Sequence, residues 1–227
     1  MASAIRMTQS DSRALLIDAA RGLFAERGID GVSMREVGRA ADQRNTNAVQ
    51  YHFGDREALL LAVLRPHHEL VGARRAALLD ELESSLAPSV RGLAGALVRP
   101  SAAMLANGEG RDYLRIVAEL ISDPANVRRR GPFDGMALAR WHRFARRHTA
   151  AATLPLHRRF SAMRLCFSEL GRRAAGRRRS DHRLFVSDLV DLTAGVLGAD
   201  VSEETQRLVS ERDGGRRARA TPSRRRQ

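Results

Sequence analysis

The chain has 227 residues, 43% hydrophobic and 4% aromatic, and a formal charge of +13 in which all 39 basic residues are arginine. That length buries a real core in one large or two small domains, and so few aromatics exclude an aromatic-rich β-sandwich or a single-strand binder built on base stacking. A single cysteine, Cys166, excludes an internal disulfide and a cysteine zinc site, and the longest apolar run, residues 58–64, is too short to cross a bilayer.

Residues 1–10 carry no apolar periodicity and are expected to be flexible. From 11 to 27, Leu16, Ala20 and Leu23 recur at helical spacing beside Leu15, Ala19 and Phe24, and Gly28 stands where a left-handed cap closes a helix. Ser33 followed by Glu36 has the capping-box form and predicts a short helix to about Ala41. A polar turn at 42–45 leads to a second short helix at about 46–52. Gly54 and Asp55 then open a long apolar-periodic helix through Leu59, Leu60, Val63 and Leu64. Pro66 is expected to interrupt and kink it, and to be the joint through which the C-terminal part moves the N-terminal part. Further helices are predicted around 89–106, 111–122, 134–150, 155–176 and 182–198, and no strand pattern occurs. The expected fold is all-α: a three-helix helix-turn-helix domain at 11–65, a helical ligand-binding and dimerisation domain at 66–200, and a mostly disordered basic tail at 201–227.

Two late stripes stand out. Leu156, Phe160, Met163, Phe167 and Leu170 share one face of the 155–176 helix. On the next helix, Phe185, Leu189, Leu192 and Val196 form one stripe and Val186, Val190, Thr193 and Leu197 another. So wide an apolar arc must be covered from several sides. A partner subunit would do this, with Phe160, Leu170, Phe185, Val186, Leu189, Val190, Thr193 and Leu197 as the expected contact; burial within one subunit is the alternative.

Two short helices joined by a polar turn after a longer helix make a helix-turn-helix, whose second short helix lies in the major groove. Asn and Gln bond adenine bidentately, and Thr bonds a base or meets a thymine methyl. The expected DNA contacts are Ser33 and Arg35 on the first short helix, Arg44 and Asn45 in the turn, Thr46, Asn47 and Gln50 on the second, and Tyr51, His52 and Arg56 beyond it. The stretch Ser33-Met34-Arg35-Glu36-Val37-Gly38-Arg39-Ala40-Ala41, then Asn47-Ala48-Val49-Gln50-Tyr51-His52-Phe53-Gly54-Asp55-Arg56-Glu57-Ala58-Leu59-Leu60, resembles the DNA-binding domain of TetR-family regulators. The resemblance covers about residues 11–65. It implies phosphate contacts at Tyr51 and His52, an aromatic core anchor at Phe53, and a long linking helix opened by residues 54–57. The turn 42–46 is longer than the family's common form. The partners implied are palindromic double-stranded operator DNA, a second copy of the chain as homodimer, and a small-molecule effector of unknown identity.

Charge is unevenly placed: residues 127–183 hold 16 arginines against 3 acids, while residues 1–66 are close to neutral. Beside that basic stretch, Trp141, Phe144, Phe160, Met163 and Phe167 suggest an effector with an apolar body and an acidic group. The expected effector contacts are Met104, Tyr113, Trp141, Phe144, Met163 and Phe167. Arginines paired with the acidic stretch 184–213 are the plainer reading. No catalytic set, cofactor loop or metal-ligand spacing emerges: His67 and His68 are adjacent on a helix and diverge, and His142, His148 and His157 lie among arginines. The chain is therefore expected to be no enzyme, to hold no cofactor or metal, and to work in the cytoplasm without a membrane. The alternative function is a non-specific architectural nucleic-acid binder.

Overall fold

The computed structural model describes residues 9–42, 48–122, 135–176 and 181–220. Ten α-helices occur among them: α1 Gln9–Arg27, α2 Met34–Ala40, α3 Ala48–Phe53, α4 Arg56–Ser84, α5 Val90–Ala102, α6 Gly108–Ser122, α7 Gly135–His148, α8 Arg158–Ala175, α9 Arg183–Gly198 and α10 Glu203–Ala220. Two 3₁₀ turns, Ala103–Ala106 and Ala151–Leu156, complete the list, and no strand is found among the described residues. The all-α expectation holds.

Local chemistry sets the helix ends. Gly28 adopts φ +80°, and its amide donates to Phe24 O at 3.0 Å, so α1 closes on the one residue type that takes this conformation freely. The capping box at α2 is complete: the Glu36 amide donates to Ser33 Oγ at 3.3 Å, and Glu36 Oε2 accepts from the Ser33 amide at 2.8 Å. Asp55 caps α4 by accepting from the Ala58 amide at 2.8 Å. The helix α4 then runs unbroken through Pro66 to Ser84, so the expected interruption is absent and one rod joins the two halves.

The apolar core is continuous along that rod. Leu16, Phe24, Ile29, Val37, Val49, Leu59 and Leu60 fill the N-terminal head. Leu79, Leu93, Leu97, Leu114, Trp141 and Leu170 fill the C-terminal part. Trp141 is fully buried and its indole N–H donates to Leu93 O at 2.9 Å, which ties α7 to α5. Helices α6 and α8 approach closely at Gly171, where an added Cβ would lie 2.4 Å from the Ala118 Cβ. Only glycine permits that crossing.

Two expectations are corrected. Leu170, Leu189, Val190, Thr193 and Leu197 are buried within a single chain, with α9 packed on α5 and α8, so they are not a surface for a second subunit. The wide apolar arc of α9 is satisfied internally. What α9 leaves outside is Leu184, 85% exposed, and Leu192, 51% exposed, with Phe160 of α8 42% exposed; Phe185 and Val186 are half-buried. The second correction concerns the tail, which is helical over Glu203–Ala220. Ser202 Oγ accepts from the Thr205 amide at 3.3 Å, Glu203 and Glu204 occupy the first turn, and Arg207 pairs with Glu211 one turn on at 3.7 Å. Cap, dipole and i,i+4 pair together favour a helix here.

Candidate nucleic-acid interface

The head positions α3 through its inner face. Ala48 and Val49 are buried against α2, where the Val49 methyl packs beside Gly38. The opposite face of α3 is thereby turned outward. It presents Gln50 and Tyr51, the latter 73% exposed, with half-buried His52 alongside. The Tyr51 and His52 rings meet edge-on at 5.3 Å. Phe53 packs on the core, and the Arg13 guanidinium lies over its ring at 5.1 Å. Gly54, at φ +77°, ends α3 with its amide on Gln50 O at 2.8 Å and turns the chain into α4. Arg44, Asn45, Thr46 and Asn47 lie outside the described residues.

Three expected contact residues have been placed by the structure at or near the start of α2 and α4. Arg35 is exposed on α2. The Ser33 hydroxyl is engaged locally, donating to Glu36 Oε2 at 2.7 Å. Glu36 also accepts from Arg27 at 2.8 Å, and the hydrogen bonds from the Ser33 amide, the Ser33 hydroxyl and Arg27 pull its carboxyl down to about 2. Arg56 turns inward: Nη1 donates to Ile29 O at 3.1 Å, Nη2 donates to Val32 O, and Asp30 sits 3.6 Å away. Its guanidinium holds the α1–α2 loop against α4.

A seam joins head to body, and sequence reasoning missed it. The Glu119 carboxylate on α6 accepts from the Ile29 amide at 3.0 and 3.2 Å. Arg21 on α1 lies 3.5 Å from Asp112 and 3.7 Å from Glu109, both on α6. The signal was available only as acids at 109, 112 and 119, one face of a helix, with no way to know that α1 lay opposite. The expected effector residues Met104, Tyr113, Trp141, Phe144, Met163 and Phe167 are all buried in the body core. Among the described residues no cluster of His, Cys, Asp and Glu is arranged to hold a metal, and no helix is long and apolar enough to cross a membrane.

Residues 16–63 match the model of the tetR family of bacterial regulatory proteins. Over 55 residues the chain is 38% identical to the HTH-type transcriptional repressor AcnR of Corynebacterium efficiens, covering 24% of this chain and 29% of that protein. It is 38% identical over 56 residues to AcnR of Corynebacterium glutamicum, covering 25% and 29%. The chain thus spans less than a third of the length of the curated relatives it matches. A crystal structure of a mutant HlyIIR protein superposes with a TM-score of 0.51 at 17% identity, over 86% of this chain and 99% of that one, a likeness of fold. The capped α2, the outward face of α3 and the start of α4 all fall inside the matched segment, so residues 16–63 are similar to the DNA-binding segment that the tetR family model describes.

Proposed function

We propose that the chain is a sequence-specific DNA-binding transcriptional regulator, a repressor that works as a homodimer in the cytoplasm and is released from a palindromic operator by a small molecule. The carrying observation is the outward face of α3, where Gln50, Tyr51 and His52 are offered by a short helix locked from behind. Gln50 reads a base edge, and Tyr51 and His52 hold phosphate. Arg44, Asn45, Thr46 and Asn47 extend the same reading. The second copy sits on the face marked by Leu184, Leu192 and Phe160, because these are the large apolar side chains that α8 and α9 leave exposed. Release needs a route from body to head, and the seam of Glu119, Asp112 and Arg21 supports one.

Selection of bound duplex from a random pool, followed by titration of variants, tests this. Gln50→Ala relaxes preference at particular positions at a cost of about 1–3 kcal/mol, whereas His52→Ala weakens binding evenly across sequences. An even loss from Gln50→Ala would put that side chain on the backbone and remove its reading role. A pool that yields no consensus would favour a non-specific architectural binder.

Arg56 has a separate expected behaviour. Arg56→Met takes two hydrogen bonds from the Ile29 and Val32 carbonyls and destabilises the head by about 1–3 kcal/mol. The slope of log affinity against log salt stays unchanged, since no phosphate contact is lost. A slope lowered by about one would return Arg56 to the DNA.

A further inference from the structure

Between α5 and the start of α9 the surface opens into a cleft of about 700 Å³. Arg91 and Arg99 reach it from α5, and Asp181, His182 and Arg183 from the turn into α9. Ala102, Ala103 and Val186 supply an apolar wall. Its lining thus sets three guanidiniums against one carboxylate, and a cleft lined with one sign of charge draws ligands of the other.

Two of the arginines are pinned. Arg91 Nε donates to Asp191 Oδ1 at 2.6 Å and its Nη2 to Ser187 Oγ at 3.3 Å, which ties α5 to α9. Arg183 donates from Nε and Nη2 to Asp181 Oδ2 at 3.1 and 2.9 Å. Each pair is balanced in charge. A guanidinium carries five N–H donors, so the pairing fixes its plane and still leaves donors to spare.

Arg99 is different. Among the described residues it has no hydrogen bond and no ion pair. Its guanidinium folds back along α5 over Gly95, where an added Cβ would lie 3.2 Å from Nη1 and 3.4 Å from Cζ. A cation in the last turn of a helix gains from the dipole. That accounts for an arginine at 99, but not for its lying over a glycine in a cleft that already holds two more guanidiniums.

We infer that this cleft binds a small phosphate-bearing molecule with an apolar body. Arg99 brings the charge that no described group balances, and Arg91 and Arg183 bring further donors. Three guanidiniums suit the three terminal oxygens of a phosphate monoester better than the two of a carboxylate. Ala102, Ala103 and Val186 face the apolar part, and the volume exceeds what a bare phosphate fills. The cleft is remote from the DNA face. Arg75 Nε donates to Ala96 O at 3.2 Å, so this stretch of α5 lies beside Arg75, nineteen residues along α4 from Arg56, about 28 Å of helical rise. It also lies off the face proposed for the second copy, since Ser187 and Leu192 stand about 140° apart around α9. The inference goes beyond the DNA-binding reading and does not depend on it.

Calorimetric titration of the full chain at constant ionic strength tests it, with phenyl phosphate and adenosine monophosphate as probes and phenol, adenosine, benzoate and inorganic phosphate as controls. At least one ester is expected to bind with a Kd on the order of 0.1 mM or below, at least tenfold tighter than every control. Arg99 is exposed, so Arg99→Gln is expected to fold as the wild type does by circular dichroism and to weaken the ester at least tenfold. Gly95→Ala keeps every charge but puts a methyl where the Arg99 guanidinium lies, and is expected to weaken it several-fold. Arg143→Gln, exposed on α7 and outside the cleft, leaves binding unchanged. The inference is overturned if neither ester binds, if a control binds as well, or if Arg99→Gln or Gly95→Ala binds as the wild type does. An equal loss in Arg143→Gln would make the effect one of bulk charge and overturn it. Duplex DNA whose affinity falls as steeply with Arg99→Gln would give the cleft to nucleic acid and overturn it too.

Discussion

On the homodimer proposed above, Leu184→Glu with Leu192→Glu is expected to yield a folded monomer, and Leu189→Glu with Val190→Glu an unfolded body. The two pairs lie on the same helix, α9, and differ only in which side they face. Leu184 and Leu192 are 85% and 51% exposed, so charges there are solvated in one chain and buried only in a dimer. Helicity by circular dichroism stays at the wild-type level, sedimentation shows half the mass, and affinity for a palindromic site falls on the order of a hundredfold or more, because the second head no longer binds intramolecularly. Leu189 and Val190 are fully enclosed. Two carboxylates placed there cost about 4–5 kcal/mol or more, a large share of the stability of a domain this size. A persistent dimer in the first pair would move the contact to another face.

Mild acid removes stability over a window that histidines govern. His68 is pushed down to about 4, first by burial and then by Arg75 and His67; His142 is pushed down to about 4, first by burial and then by Arg159 and Arg75. Burial also lowers His67. In each case the unfolded chain takes up a proton that the folded chain refuses. The stability each contributes is whole above about pH 6.5 and is lost as pH falls toward 4. The slope approaches about 1.4 kcal/mol per pH unit for each histidine, reduced by solvent screening because these rings are only half-buried. Glu36, Glu83 and Asp181 have depressed carboxyls and weaken the fold only below about 4.5, while Asp112, raised by burial, works in the opposite sense, so a loss of stability above that window is carried by the imidazoles. Urea midpoints between pH 7.5 and 4.5 should fall steadily. His142→Phe, whose ring would meet Phe160 as the imidazole does at 5.2 Å, should flatten the slope. Equal slopes in both proteins would exclude His142 as a source.

The head was legible in the sequence because its signals are local. Ser33 with Glu36, Gly28 after α1 and Asp55 before α4 each act within four residues, and each forms the bond its spacing implies. The body was legible only as helices. An apolar arc states that a face is covered, not by what, and so Leu189 and Val190 looked like a subunit contact when α5 and α8 already cover them. Charge misled in the opposite sense. Arg56 reads as a DNA contact and Arg75 carries no signal among 39 arginines, yet Arg75 lies at the centre of the body and Arg56 laces a loop to α4. Pairings between residues 90 apart, such as Ile29 with Glu119, leave no periodic trace at all.

That last pairing has a practical side. Both backbone groups of Ile29 are held, its N–H by Glu119 of α6 and its C=O by Arg56 of α4. The amide is therefore shielded only while head and body are joined, and it becomes open to solvent when they part, even if neither has unfolded. Its rate of exchange with deuterated water is a built-in gauge of how often head and body part.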